Sequence, residues 1–283
     1  MSWRLKVTHH TGLQYSDPVS ASFNEARMTP ADGGGQLLIA HELRTTPSAR
    51  MQTYTDYWGT TVVAFDMHEL HTVLDITSSS VVETSATTPP AAAVTWDDLR
   101  DSAVLDRWCE FLRPSHYVDD ARDDPDRAPL VELLAAASRP ADAIAAAVDA
   151  VEDRMRYTPG ITTVQTTASE AWAQAAGVCQ DFTHVTLSLL RAVGIPARYV
   201  SGYLYTGSGE VGETVIGESH AWVEVWDGRW HGLDPTNGRV VGEGHVVVAR
   251  GRDYADVSPL KGIYAGGHSE SLGVSVELTR LPR

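Results

Sequence analysis

The sequence of 283 residues has no long apolar run. A membrane-spanning helix needs about 20 consecutive apolar residues, and a secretory leader needs an apolar stretch of about 7–15 residues near its start. The first eight residues instead alternate polar and apolar side chains, which is typical of a β-strand. We therefore predict a cytoplasmic protein that does not bind membranes.

Positive charge is also scarce. Lys and Arg together number 22 against 37 Asp and Glu, which gives a formal net charge of −15. Nucleic acids and anionic lipid surfaces are bound by basic faces, so this balance argues against both as partners. We interpret the acidity as a means of solubility.

Cysteine is limited to 2 residues, Cys109 and Cys179. A small secreted scaffold held by disulfides would need more. Cys109 lies in a helix-like segment and is predicted to be a small buried hydrophobic residue. The hydrophobic content of 43% is ordinary for a chain with a well-formed core.

Residues 1–84 show the period-two pattern of β-strands, for example at Trp3, Leu5 and Val7. Glycine-rich turns such as residues 32–35 separate the predicted strands, and no helical pattern interrupts them. Many strands without helices predict an N-terminal β-sandwich domain over residues 1–88. The Pro- and Ala-rich residues 85–93 are predicted to be a linker.

The remainder of the chain, residues 95–283, is predicted to form a second domain of the α+β class. The apolar spacing changes to the helical period and then returns to period two, so helices should pack on an antiparallel sheet. The predicted helices cover residues 96–112, a segment from Pro140, residues 168–176, and a segment from Cys179 that ends at Gly194.

Three residues in this second part suggest a catalytic site: Cys179, His220 and Asp234. A thiol becomes a strong nucleophile when a base or a positive field ionises it, and a histidine base needs a third group to fix its tautomer. Cys179 is predicted to begin a helix, where backbone N–H groups stabilise a thiolate and the oxyanion that forms when it attacks a carbonyl.

The relation between His220 and Asp234 depends on the turn near Asp227 and Gly228. A two-residue turn would place the two side chains on opposite faces of a hairpin, because side chains alternate along strands. A three-residue turn over residues 226–228, with Gly228 left-handed, would pair residue 225 with residue 229 and place His220 directly opposite Asp234. The catalytic hypothesis requires the longer turn.

The remaining histidines are not predicted to bind a metal. His184 is interpreted as a buried structural residue, and alternation along the strand turns His231 away from Asp234, so a zinc site built on Cys179 is not supported. The Asp-rich residues 119–129 lack the spacing and glycine of a calcium loop. We predict neither a metal nor a cofactor.

Four segments, GVCQDFTH, GIPARYVSGY, ESHAWVEVW and GLDPTNGR, make the chain similar to the transglutaminase-like superfamily of papain-like cysteine peptidases. The tail from Ala249 to Pro259 and the N-terminal part resemble the bacterial branch, in which a β-rich domain precedes the catalytic one. The resemblance implies a papain-like/transglutaminase core, with Cys179 as nucleophile, His220 as base and Asp234 as its orienting group. It does not identify the second oxyanion donor, for which Trp172 and Gln174, just upstream of Cys179, are the candidates.

The function predicted from this resemblance is acyl transfer on peptide or protein amide substrates through a Cys179 thioester, with hydrolysis as the first interpretation. An amine-accepting acyltransferase, either a transglutaminase or an amide-bond synthase, is the second, and a non-catalytic peptide-binding module is the third. The sequence does not indicate the oligomeric state.

The glycine-rich residues 205–218 form either a long hairpin connection or a mobile lid over the site. As a lid, the segment would exclude water and favour an amine acceptor. Its glutamates Glu210, Glu213 and Glu218 would then favour a cationic group on the substrate or acceptor.

Overall fold

The computed structural model describes residues 2–86, 94–217 and 219–283. Most of the predicted linker, as well as Glu218, lies outside these residues. The helices are α1 (Trp96–Leu99), α2 (Ser102–Arg107), α3 (Ala128–Ala135), α4 (Pro140–Arg154), α5 (Ala168–Gln174), α6 (Cys179–Ala192) and α7 (Tyr254–Val257). The strands are β1 (Ser2–Val19), β2 (Ala21–Ala26), β3 (Gln36–Thr46), β4 (Arg50–Thr55), β5 (Thr61–Met67), β6 (His71–Ser85), β7 (Arg156–Tyr157), β8 (Ala176–Gly177), β9 (Ala197–Leu204), β10 (Thr214–Gly217), β11 (Ser219–Trp226), β12 (Trp230–Asp234), β13 (Arg239–Val240), β14 (His245–Gly251), β15 (Leu260–Ala265) and β16 (Ser269–Leu281).

The N-terminal strands belong to two antiparallel sheets. One has the order β10-β16-β1-β6-β3 and the other the order β15-β2-β5-β4. Tyr15, Phe65 and Leu74 from the strands of both sheets form a shared apolar core, together with Met28 from the connection after β2. The predicted α+β class with an N-terminal β-rich region is confirmed.

The two sheets do not stop at the predicted linker. Strands β10, β15 and β16 come from the C-terminal half of the chain and complete the N-terminal sheets. In the longest of these pairings, β16 runs antiparallel to β1 with Leu281 opposite Arg4. The predicted second domain over residues 95–283 therefore contributes strands to the first. Period-two patterns identify strands but not their partners across the sequence, so this exchange was not predictable from spacing.

A third sheet, with the order β13-β12-β11-β9-β14, carries helix α6 against it. Residues Gln180 to Arg191 of α6 are all buried, and they pack with α4 and α5 as well as with the sheet. The helix ends where predicted, because Gly194 adopts the left-handed conformation (φ 81°) that favours glycine.

Side-chain hydrogen bonds join the N-terminal sheets to this third sheet. The Gln36 amide donates to the Val247 carbonyl and accepts from the Val247 N–H, each at 2.9 Å. The buried His9 Nδ1 lies 2.8 Å from the hydroxyl of Tyr203. The sheet that carries the site is therefore held on the N-terminal β-strands.

Two local predictions were wrong. Residues 96–112 do not form one helix: they are divided into α1, α2 and a 3₁₀ turn at Cys109–Phe111, since the Asp101 carboxylate accepts from the Ala103 N–H and begins a new helix. Cys109 is consequently exposed rather than buried.

The glycine-rich residues 205–218 contain strand β10, which pairs with β16. The Glu213 carboxylate accepts hydrogen bonds from Tyr205 and Ser208, each at 2.7 Å, and these bonds hold its pKa at about 2. The segment is thus tied to the N-terminal sheet, as a connection would be. Within the described residues, no helix has the length and apolar character to cross a membrane.

Candidate functional site

Cys179 is the first residue of α6, at the end that faces a turn of glycine and valine. The side chain of Asp181 folds back over this turn and accepts from the Val178 N–H and from the Thr162 hydroxyl, each at 2.7 Å. Only glycine fits at position 177, because an added Cβ would lie 2.5 Å from Asp181 side-chain atoms. This turn therefore determines where helix α6 begins and where the sulfur of Cys179 lies.

His220 comes from β11, the strand between β9 and β12 in the third sheet. Its Nε2 lies 2.8 Å from Asp234 Oδ2, and the ring also makes a hydrogen bond with Cys179, which leaves Nδ1 as the atom facing the sulfur. Burial lowers the pKa of His220, but the hydrogen bonds to Asp234 and Cys179 and the charges of both outweigh it and raise that pKa to about 9. The imidazole is therefore protonated at neutral pH.

The structure thus brings Cys179, His220 and Asp234 together, although the predicted hairpin register was wrong. Trp226 pairs with Trp230, so the turn is residues 227–229, and Asp234 is offset by two residues from the position opposite His220. A shift of two residues preserves the face, so both side chains still point to the same side of the sheet. Gly228 is left-handed (φ 105°), as the sequence predicted.

Asp234 is 1% exposed and accepts hydrogen bonds on both oxygens. Its Oδ2 is shared by His220, by the Asn237 amide at 2.8 Å and by His245 Nε2 at 3.2 Å, and its Oδ1 accepts from the Thr236 N–H at 3.1 Å. Burial alone would raise the pKa of Asp234, but these hydrogen bonds hold it well below its usual range. Asp234 therefore remains a carboxylate and supports the positive charge on His220.

His245 was not among the residues that the sequence suggested for the site. It is the first residue of β14, which pairs with β9 on the side away from β11. In the sequence, His245 is seen only as a histidine at the start of an apolar strand. Nothing in that pattern connects it with Asp234, which lies on a different strand.

The nearest ligand-type atoms of His220, Asp234 and His245 all lie within 4.8 Å of one another, so residue type and distance alone would allow a metal. The hydrogen bonds oppose this reading. His245 Nδ1 accepts from the Gly242 N–H at 3.2 Å, so the ring proton is on Nε2, the atom that faces Asp234. A metal ligand must instead offer a free lone pair there.

His184 and His231 lie as the sequence predicted, the first buried and the second turned away from Asp234. His184 is fully buried on α6, accepts from the Tyr254 N–H at 3.2 Å and stacks on Tyr117. Burial is the main reason that its pKa falls to about 3. His231 faces the opposite side of its strand from Asp234, with Nδ1 3.3 Å from Asp227 Oδ1.

A groove of about 530 Å³ lies beside Cys179 and includes its neighbours Val178 and Gln180. One wall is the segment from Tyr157 to Val164, and Ser219 of β11 lies on the other side. A larger groove, of about 710 Å³, lies on the outer sheet that contains Phe23 and Ile263 and includes none of the site residues. Of these two grooves, the smaller one is lined by residues adjacent in sequence to Cys179 and His220, whereas the larger one is not.

Comparison with known proteins identifies the family of this chain. Residues 5–83 match the bacterial transglutaminase-like N-terminal region, and residues 129–235, which contain Cys179, His220 and Asp234, match the transglutaminase-like superfamily. An uncharacterized protein of Mycobacterium leprae is 45% identical over 280 residues, covering 99% of both chains. The chain belongs to the bacterial branch of the transglutaminase-like superfamily.

Two further relatives bear on fold and function. A Cytophaga hutchinsonii protein provisionally assigned as a cysteine protease superposes with a TM-score of 0.76, covering 100% of this chain and 92% of that one at 23% identity. This likeness shows the fold. A protein-glutamine gamma-glutamyltransferase of Pseudomonas aeruginosa is 30% identical over 152 residues, which is 49% of this chain and 21% of that protein.

Proposed function

We propose that the protein is a thiol-dependent enzyme that hydrolyses peptide or protein amide bonds through an acyl thioester on Cys179. Its proposed location is the cytoplasm. One observation carries the proposal: the His220 ring is hydrogen-bonded to Cys179 on one side and to a buried Asp234 carboxylate on the other, at the start of α6. A peptide-binding module without catalysis would not need this arrangement.

The geometry supports a two-step reaction. His220 already holds the proton of the Cys179 thiol, so the thiolate attacks the amide carbonyl, and the oxyanion that forms is stabilised by backbone N–H groups in the first turn of α6. His220 then donates its proton to the departing amine, which leaves the acyl group on sulfur. A water molecule then attacks the thioester and gives a proton to His220, and collapse of the tetrahedral intermediate releases a carboxylic acid and restores the Cys179 thiolate beside the protonated His220.

Access of water to the groove supports hydrolysis. Tyr157 and Val164, which line it, are each 55% exposed, and residues 205–217 are bonded to the N-terminal sheet. Amine transfer is the second candidate, and the partial identity to a protein-glutamine gamma-glutamyltransferase favours it. Both reactions use the same thioester and differ only in the acceptor.

The first test is the reactivity of the two cysteines toward iodoacetamide at pH 7. We expect Cys179 to be alkylated at least tenfold faster than Cys109, because both thiols are accessible but only Cys179 has a base. Cys109→Ser is the matched control and should leave the fast phase intact, whereas Cys179→Ala should remove it. Equal rates at the two positions, measured by mass spectrometry of the peptides, would contradict an activated thiol.

The second test separates water from amines. The protein is incubated with a library of peptide amides and with hydroxylamine, and the products are identified by mass spectrometry. Free acids as the main product at millimolar hydroxylamine support hydrolysis, and hydroxamates support amine transfer. Absence of either product, together with no Cys179 adduct, would favour the binding module.

A further inference from the structure

His245 is a buried histidine that the two-step reaction above does not use. Its side chain is on β14, is 5% exposed, and reaches Asp234 Oδ2 with Nε2 at 3.2 Å. The ring packs edge-on against the fully buried Trp222, with 5.2 Å between centroids. The indole of Trp222 also stacks on His220, and the two histidine rings are 6.2 Å apart, so the three rings contact one another.

Backbone hydrogen bonds decide the tautomer of His245. The Gly242 N–H donates to Nδ1 at 3.2 Å, and the His245 N–H donates to the Gly242 carbonyl at 3.0 Å, which closes a tight turn before β14. Since Nδ1 accepts, the ring hydrogen must be on Nε2, where it is directed at the carboxylate.

We infer that His245 is a positioning residue, which donates from Nε2 to Asp234 and holds that carboxylate turned toward His220. The inference rests on the proposed function, because it concerns the group that orients the base. Asn237 donates to the same oxygen but is exposed, whereas His245 is enclosed by the sheet and by Trp222. His245 is therefore the rigid donor of the pair.

Other charged groups near Asp234 do not replace this donor. Glu152 of α4 is itself an acid: burial and then the charges of Asp149, Asp153 and Asp234 raise its pKa. The positive charge that faces Asp234 comes from His220, and His220 is the group that must be held in place.

The experiment compares His245→Asn with His245→Gln, both in a Cys109→Ser background. The asparagine oxygen can still accept from the Gly242 N–H, but its side chain is too short to reach Asp234. The glutamine nitrogen occupies the position of Nε2 and keeps the donor. Two readouts are used: steady-state hydrolysis of p-nitrophenyl acetate, and the pH dependence of Cys179 alkylation by iodoacetate.

Iodoacetate is an anion, so its reaction with Cys179 slows when the neighbouring imidazolium loses its proton. In the parent protein, this decrease in the alkylation rate is expected near pH 9, where His220 titrates. With the donor lost, the carboxylate turns away and supports the imidazolium less. In His245→Asn, we expect the decrease in the alkylation rate to occur at a pH lower by at least about half a unit. We also expect hydrolysis of p-nitrophenyl acetate to slow by roughly ten- to a hundredfold, in line with loss of a hydrogen bond to a charged group. The hydrolysis rate of His245→Gln should stay within about threefold of the parent's rate, and its alkylation rate should decrease at the same pH as in the parent.

Two results would overturn the positioning role. In the first, His245→Asn has the same hydrolysis rate and the same pH dependence of alkylation as the parent. In the second, both variants hydrolyse the ester equally slowly but keep the parent's pH dependence of alkylation, which would indicate a purely structural residue. A wild-type protein, with both cysteines present, in which Cys179 is no more reactive than Cys109 would instead overturn the proposed function itself.

Discussion

Two buried carboxylates lie in the site, one in the first turn of α6 and one at the end of β12, and their environments differ. Asp181 and Asp234 are each 1% exposed. Asp234 accepts from two histidines, an amide and a backbone N–H, and its pKa is held low. Asp181 accepts on Oδ2 only, its Oδ1 is buried without a partner among the described residues, and burial raises its pKa.

Burial alone therefore does not determine what a carboxylate does here. The number of donors and the charge they carry decide whether burial is overcome. Asp234 is built to remain negative beside a histidine, whereas Asp181 acts as a local brace for the turn that positions Cys179. The comparison can be sharpened by changing each carboxylate in turn.

The largest expected effect comes from Asp234→Asn. The amide cannot support an imidazolium and offers His220 an N–H where an acceptor is needed, so hydrolysis of p-nitrophenyl acetate should fall by about 10²–10⁴-fold, as for the orienting acid of other triads. Asp181→Asn is the matched control, since the same isosteric change there should alter the rate by less than about threefold. If both variants lost activity equally, the distinction between the two carboxylates would be wrong.

A smaller effect, on stability, is expected from Gly177→Ala. The added Cβ would lie 2.5 Å from Asp181 Cβ and Oδ2, so the brace must move, at a cost of about 1–3 kcal/mol in the free energy of unfolding. Gly217→Ala is the control, because among the described residues no heavy atom other than those of its chain neighbours lies within 4 Å of its added Cβ. Urea denaturation of the two variants checks this, and equal midpoints would show that the turn is not tightly packed.

The smallest effect is the pH dependence of stability in Asp181→Asn. The pKa of Asp181 is raised in the folded state, so its ionised form destabilises the fold; this cost is absent below the unfolded pKa of about 4 and grows as pH rises through the folded pKa. The variant should therefore match the wild type near pH 4 and gain stability relative to it toward pH 7. Parallel curves from thermal unfolding at several pH values would indicate that Asp181 titrates normally.

Local patterns were sufficient to predict much of the site. The apolar period placed the start of α6 at Cys179 and its end at Gly194, and strand alternation placed His220 and Asp234 on one face under the three-residue turn that the catalytic hypothesis required. Each of these follows from the conformation of a few neighbouring residues.

The rest depends on contacts between distant segments. The predicted hairpin register was wrong by two residues, because the turn admits more than one three-residue loop. His220 and Asp234 still lie on the same side of the sheet only because the shift is an even number of residues. His245 was missed because its partner is on another strand, and Cys109 was misplaced because the Asp101 cap divides its helix. Spacing along the chain contains none of this information.

The pairing of β1 with β16 has a consequence for synthesis on the ribosome. β1 ends at Val19, and β16 begins only at Ser269. At about 5–20 residues per second, one edge of an 18-residue strand therefore waits on the order of tens of seconds for its partner. An unpaired edge of that length is a template for association with other chains, so the nascent protein depends on protection of this edge until its last strand is made.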